Sequence, residues 1–142
     1  DPSDLSPAYK LTSSQSYYIT HGQKDKRVPV HHFEFFQNFI SKNNIDAEIV
    51  NTHTIKPIDI NKVNESAKKS KLIVSIEEHN VIGGLGSAIA ECLVGIKNSP
   101  EQIFFGVNDS YSEGGDYNFL KKKFNLTPDF ISKKIISKFK EA

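Results

Sequence analysis

The sequence has no methionine, no tryptophan and a single cysteine, Cys92. One thiol cannot form a disulfide within the chain, and a lone cysteine is typical of proteins from a reducing compartment. Basic and acidic residues nearly cancel to a formal net charge of +1, so the composition does not favour binding to nucleic acid or to an anionic membrane. No apolar run approaches the ~20 residues of a membrane span. These absences predict a cytoplasmic protein that is held together by its own hydrophobic core.

Residues 1–15 are rich in proline, serine and aspartate, a composition typical of linkers. A complete translation product begins with methionine, so either the initiator was removed or the chain is a piece of a longer protein, and the linker-like composition of residues 1–15 favours the second. We expect residues 1–15 to be an interdomain linker and residues 16–142 to be one domain, because this length suits a single core.

Segments with strand patterns alternate along the chain with segments that have helix patterns. Predicted strands cover residues 16–21, 47–52, 72–76 and 102–107, and predicted helices cover residues 31–42, 60–70, 87–96 and 117–124, with a last helix from Thr127 onward. The third strand is short, apolar and β-branched, which suits burial on both faces of a parallel sheet. The alternation predicts a three-layer α/β domain with a mainly parallel sheet.

A glycine-rich turn, with Gly83, Gly84 and Gly86, joins the third predicted strand to the helix that follows it. Such a turn can bind phosphate, because free backbone N–H groups and the helix dipole point at the anion. A dinucleotide fingerprint would need a small residue at the position of Ile89, and a P-loop would need a lysine after the turn. The sequence therefore favours a structural turn, in which at least one glycine has a positive φ angle and the helix packs close to the sheet.

Polar side chains gather at the predicted carboxyl edge of the sheet. His53 follows the second strand, Glu77, Glu78 and His79 follow the third, and Glu91 lies inside the apolar helix after the turn. Histidines and carboxylates can hold a metal or act as an acid–base pair. The spacing typical of metal sites is missing, so these residues favour bonds to loops or a subunit interface. We expect Glu77, Glu78 and His79 to bond to backbone near the turn, and Glu91 to cap the turn or to lie at a subunit contact.

The predicted helix 87–96 is apolar around almost its whole circumference. A surface helix would show a single apolar stripe, so this helix is expected to be covered on several sides. We expect some of Ile89, Leu93 and Ile96 to be covered only by a partner. The isolated chain is then expected to form a homodimer or to expose an apolar patch larger than a few hundred Å².

Three motifs resemble the C-terminal domain of transketolase-type thiamine diphosphate enzymes. They are EEHNVIGGLGSAIAE at 77–91, HTIKPID at 53–59, and a divided motif with GVND at 106–109, GG at 114–115 and LT at 126–127. The motifs follow the family's order at about its spacing, and the resemblance covers nearly the whole domain. It implies a three-layer α/β/α fold around a five-stranded, mostly parallel mixed sheet in which one strand runs opposite to the rest.

The resemblance also implies a function. Transketolases use thiamine diphosphate and a divalent metal, Mg²⁺ or Ca²⁺, to transfer two-carbon ketol units between sugar phosphates. In this family an N-terminal domain binds the diphosphate and metal through a Gly-Asp-Gly motif, and a middle domain binds the aminopyrimidine. The motif has no counterpart here, since Gly114, Gly115 and Asp116 stand in a different order. We therefore assign no catalytic, cofactor-binding or metal-binding residue, and expect a role in assembly with the cofactor-binding domains or subunit and in regulation.

Other interpretations stay open. A deoxyxylulose phosphate synthase and the β subunit of a 2-oxoacid dehydrogenase belong to the same superfamily. A free-standing module that binds a small anion or a protein partner is a different class of function. A Gly-Asp-Gly motif in the coding sequence upstream of Asp1 would favour the enzymes over the module.

Overall fold

The computed structural model describes residues 16–22, 31–43, 45–52 and 54–141. The predicted linker at residues 1–15 lies outside this range. The elements in chain order are β1 (Ser16–Gly22), α1 (His31–Lys42), β2 (Ala47–Thr52), α2 (Ile60–Lys69), β3 (Ser70–Asn80), α3 (Leu85–Leu93), β4 (Glu101–Val107), α4 (Tyr117–Lys123) and α5 (Pro128–Glu141). Strands and helices alternate up to β4, as the sequence predicts for an α/β domain.

The sheet has the strand order β2-β1-β3-β4, and all neighbouring strands are parallel. Ile19 of β1 lies opposite Ile49 of β2 on one side and Val74 of β3 on the other. The described residues thus contain four parallel strands, and the antiparallel fifth strand implied by the resemblance is not among them. Because every strand points the same way, the ends of β1 to β4 and the loops that follow them share one carboxyl edge.

Two apolar clusters cover the two faces of the sheet. Leu72, Val74 and Ile76 of β3 face α1 and α5, where Ile131 and Ile135 are almost fully buried. Ile73 faces the other way, into a cluster completed by side chains of α2 and α3. The alternation of side chains along β3 therefore builds both cores, and the domain has three layers with α1 and α5 on one side and α2 and α3 on the other.

Helix starts follow the predicted capping residues. Asp59 caps α2 by accepting a hydrogen bond from the backbone N–H of Lys62 at 2.9 Å, and Asp116 caps α4 by accepting one from Phe119 at 2.9 Å. α5 begins with Pro128 at its first position, where the missing N–H costs nothing. Among the described residues no helix has the length and apolar character needed to cross a bilayer.

The central strand and its helix differ from the predicted bounds. β3 continues four residues past Ile76 to Asn80, and α3 runs from Leu85 to Leu93 rather than from 87 to 96. The polar residues after Ile76 indicated a loop, but Glu77 is buried and the strand continues through it. The helix starts early because this buried carboxylate binds its first N–H groups.

The expectation that a partner alone covers part of α3 is wrong for Ile89 and Leu93. Both are buried inside the domain, and Ile96 packs partly buried against the same cluster. The helix is apolar on several sides because it lies on β3 and β4 and also packs against α2. Its most exposed apolar residue is Val94, at the helix end.

Candidate functional site

The carboxylate of Glu77 closes the amino end of α3. Its side chain is 4% exposed, and its two oxygens accept hydrogen bonds from the backbone N–H groups of Leu85 at 2.7 Å and Gly86 at 2.9 Å. The N-cap residue is Gly84, which has no side chain to serve as a cap. The carboxylate of Glu77, eight residues before Leu85, supplies the missing acceptor, and its negative charge suits the helix dipole.

Side-chain hydrogen bonds fix the turn between β3 and α3. The hydroxyl of Ser87 accepts from the backbone N–H of Gly83 at 2.9 Å and donates to the carbonyl of Val81 at 2.8 Å. The side-chain oxygen of Asn80 accepts from the N–H of Ile82 at 2.8 Å. Gly83 has a φ angle of 75°, so the prediction of a positive φ in this turn is confirmed.

The close approach of the turn to the strand depends on Gly84. A Cβ atom on Gly84 would lie 2.0 Å from Oε2 of Glu77 and 2.6 Å from the carbonyl oxygen of Asn80. Real Cβ atoms do not come so close to other atoms. The absence of a side chain here is what lets the Glu77 carboxylate lie directly under the helix end.

The position that a phosphate would take at this helix end is thus filled by the chain itself. The N–H groups that could bind an anion already bind the Glu77 carboxylate, and the negative charge of this carboxylate would repel a second anion. In the ranges 16–22, 31–43, 45–52 and 54–141, no group of three or more histidine, cysteine, aspartate or glutamate side chains could hold a metal ion.

Glu78 does not bond to the turn backbone, so that part of the expectation is wrong. Glu78 is exposed, unlike its buried neighbour Glu77, and accepts a hydrogen bond from the hydroxyl of Tyr117. Burial, then the bond to Glu78 and its charge, raises the pKa of Tyr117. The ammonium of Lys121 lies 4.4 Å from the centre of the Tyr117 ring. The hydrogen bond between Tyr117 and Glu78 joins the start of α4 to the end of β3.

Among the described residues, His79 and Glu91 take no part in the Glu77 cap. His79 is exposed, and its Nδ1 lies 3.0 Å from the backbone carbonyl oxygen of Asn80, beside the turn. Glu91 is exposed on α3 and does not cap the turn, since Glu77 binds the free N–H groups. His53 lies outside the described residues. Cys92 is half-buried, and burial, with a smaller effect of Glu91, raises its pKa, which suits an unreactive thiol.

A cleft of about 420 Å³ lies beside β4, between that strand and α5. Phe104, Phe124 and Phe130 line it together with Asn108 and Lys134. No local sequence pattern indicates this cleft, because it depends on how the α4–α5 connection returns to the sheet. The role of Tyr117 was missed as well, since only its neighbour Asp116 carries a local capping signal.

The comparisons with known proteins agree with the motifs. Residues 30–131 match the family model described as "Transketolase, C-terminal domain". A protein of Methanocaldococcus jannaschii, named as a transketolase C-terminal section, is 38% identical over 103 residues, which are 72% of this chain and 31% of that protein. A 6-deoxy-6-sulfo-D-fructose transketolase subunit of Clostridium sp. is 48% identical over 84 residues, 58% of this chain and 26% of the subunit.

Further relatives extend the picture to a second enzyme and to a solved structure. A 1-deoxy-D-xylulose-5-phosphate synthase of Caldanaerobacter subterraneus is 34% identical over 97 residues, 68% of this chain and 16% of the synthase. The fold matches a split gene transketolase, solved as an inactive beta4 tetramer, with a TM-score of 0.72 and 28% identity, over 92% of this chain and 41% of that one. The chain spans less than a third of the length of these curated relatives. With the family model matching most of its residues, the chain belongs to the transketolase C-terminal domain family.

Proposed function

We propose that this chain acts within a transketolase-type enzyme that transfers two-carbon ketol units between sugar phosphates. The observation that carries the proposal is the family match over residues 30–131, together with transketolase relatives at 38% and 48% identity. The matched segments cover only 31% and 26% of these two relatives, so the catalytic chemistry is assigned to the remainder of the enzyme. This chain contributes to assembly.

The proposal places thiamine diphosphate and its divalent metal, Mg²⁺ or Ca²⁺, outside this domain. It is supported by the chemistry of the helix end, where Glu77 takes the N–H groups that a diphosphate would need. The partners are the cofactor-binding domains or subunit of the same enzyme, within a homodimer in the cytoplasm. Nucleic acid and membrane are not partners in this proposal, in keeping with the net charge of +1. Residues 1–15 are the linker toward the rest of the enzyme.

A calorimetric titration tests the division of labour. We expect the isolated chain to bind no thiamine diphosphate in the presence of Mg²⁺ and to show no ketol transfer, while the enzyme that contains both parts does both. Glu77→Gln is the control variant for the helix end that the carboxylate occupies. It weakens the bonds to the helix N–H groups but keeps the shape of the side chain. Saturable micromolar binding of the cofactor by the chain alone would contradict the proposal.

A second candidate function is that of a 1-deoxy-D-xylulose-5-phosphate synthase. Several such synthases are 32% to 35% identical to this chain over 58% to 68% of its length. The higher identity to the two transketolase relatives favours the first candidate. Product analysis of the complete enzyme separates them: formation of 1-deoxy-D-xylulose 5-phosphate would favour the synthase, and transfer between ketose and aldose phosphates the transketolase. The ketoses tested as substrates should include 6-deoxy-6-sulfo-D-fructose, which appears in the name of the Clostridium relative.

A further inference from the structure

Four large apolar side chains are exposed in the segments that follow β3 and β4 at the carboxyl edge of the sheet, and we call them the apolar rim: Ile82, Tyr111, Tyr117 and Phe119. Ile82 in the glycine turn is 67% exposed, and Tyr111 in the loop after β4 is fully exposed. Tyr117 and Phe119 lie in the first turn of α4 and expose more than two fifths of their surface. The rim thus combines three separate segments of the chain.

Specific contacts hold these three segments beside one another. The backbone N–H of Val81 donates to the carbonyl of Val107 at 2.9 Å, which joins the glycine turn to the end of β4. The hydroxyl of Tyr117 donates to Glu78, which joins α4 to the end of β3. Lys123 and Glu113 form an ion pair at 2.7 Å that fastens the loop after β4 to α4. The rim is therefore part of the folded framework.

The chemistry of this edge suits a protein better than a small ligand. In open α/β sheets the carboxyl edge commonly binds ligands, yet here Glu77 fills the helix end that would bind an anion. What remains exposed includes four large apolar side chains, two of them tyrosines, among exposed polar residues such as His79, Asn108 and Asp109. An apolar centre with polar surroundings and exposed tyrosines is the usual composition of a protein–protein interface.

We propose that the apolar rim is the surface on which the cofactor-binding part of the same transketolase-type enzyme docks. The inference rests on the proposed function, which requires such a part. The occupant is chosen because the segments matched to this chain cover 31% or less of the curated relatives, so most of such an enzyme lies outside the matched domain. The relatives are named as a transketolase C-terminal section, a transketolase subunit and a split gene transketolase, and these names suit an enzyme assembled from separate parts.

The chain provides a matched control for the test. Val94 is an aliphatic residue that is 87% exposed and directly follows the end of α3. Ile82 is exposed as well, but it precedes that helix. Since α3 starts at the carboxyl edge and runs back along the sheet, Val94 lies at the opposite edge. Ile82→Ser and Tyr111→Ser alter the rim, whereas Val94→Ser removes a comparable apolar surface elsewhere. All three side chains are exposed, so we expect the variants to keep the melting temperature of the parent chain.

The experiment is a calorimetric titration of the 142-residue chain with the separately produced cofactor-binding polypeptide of the same enzyme. We expect Ile82→Ser and Tyr111→Ser to weaken the dissociation constant about tenfold or more each, as loss of a central apolar anchor does. Val94→Ser should bind like the parent chain. Ketol transfer by the mixture, measured at a limiting concentration of the chain, should be lower with the two rim variants than with Val94→Ser or the parent chain.

Two outcomes would overturn the docking surface while leaving the proposed function intact. One is tight binding of the parent chain that neither rim variant weakens. The other is weakening by Val94→Ser with the rim variants unchanged. Failure of the parent chain to bind at all would remove the proposed function together with the surface. Self-association of the chain alone that Ile82→Ser abolishes would assign the rim to a second copy and likewise overturn the inference.

Discussion

Glu77 is the residue on which the central unit of the fold most depends. Its buried carboxylate accepts from two backbone N–H groups at the start of α3. We expect Glu77→Gln to lower the free energy of unfolding by about 1 to 3 kcal/mol, because an amide can satisfy only part of this bonding and places its own N–H groups near donors. Urea unfolding followed by circular dichroism measures the change.

Glu91→Gln is the matched control for this prediction. Glu91 lies on the same helix but is exposed, so its replacement should change stability by no more than about 0.5 kcal/mol. Equal stability of the two variants would show that the cap contributes little.

Gly84 limits what the turn can accept. Alanine at this position would bring its Cβ within 2.6 Å of the Asn80 carbonyl oxygen and still closer to the Glu77 carboxylate. We expect Gly84→Ala to cost about 1 to 3 kcal/mol, because either the backbone shifts or the cap is displaced. Thermal unfolding should show the loss, and Gly95→Ala, where an added Cβ meets nothing within 4 Å, should melt close to the parent chain. Similar melting of both variants would contradict the packing argument.

At the scale of elements, the bond between Tyr117 and Glu78 joins α4 to β3. We expect Tyr117→Phe to destabilise the chain by about 1 kcal/mol at neutral pH, the usual contribution of one hydrogen bond to a charged acceptor that is partly solvated. Tyr111→Phe is the control, since that ring is fully exposed.

The stabilisation by Tyr117 also has a predicted pH dependence. The folded-state pKa of Tyr117 is raised above its ordinary value of 10.0. A raised pKa gives a contribution that is fully present below pH 10 and is lost as the pH rises through the folded-state pKa. The stability difference between the parent chain and Tyr117→Phe should therefore be constant from pH 7 to about pH 9.5 and shrink above about pH 10. A difference that grows with pH would reverse the sign and contradict the assignment.

Elements were predictable where a local signal agreed with the tertiary structure. β2 has the predicted bounds, and α2 and α4 begin at their predicted aspartate caps, because strand pattern and cap are both encoded in neighbouring residues. The carboxyl end of β3 was not predictable in this way. Glu77 reads as a loop residue until its partners, eight and nine residues later, are known.

At the scale of the whole molecule, the three layers and the parallel sheet follow from the order of strands and helices. The coverage of α3 does not. A sequence shows that a helix is apolar on several sides, but it does not show whether a neighbouring helix or another chain covers it. Here α2 and the sheet bury Ile89 and Leu93 within one domain. The cleft beside β4 and the apolar rim also join distant segments, so no local pattern reports them.

The Glu77 cap has a consequence for how the chain folds. Its hydrogen bonds span eight and nine residues, whereas the ladder between β1 and β3 pairs residues as far apart as Tyr17 and Leu72. Closing a short loop costs less chain entropy than closing a long one. We therefore expect the unit of β3, turn and α3 to form before the sheet is complete, so that Glu77→Gln slows refolding in stopped-flow measurements more than it accelerates unfolding. Glu77, which occupies the place of a phosphate in the turn, would then also limit the rate at which the domain folds.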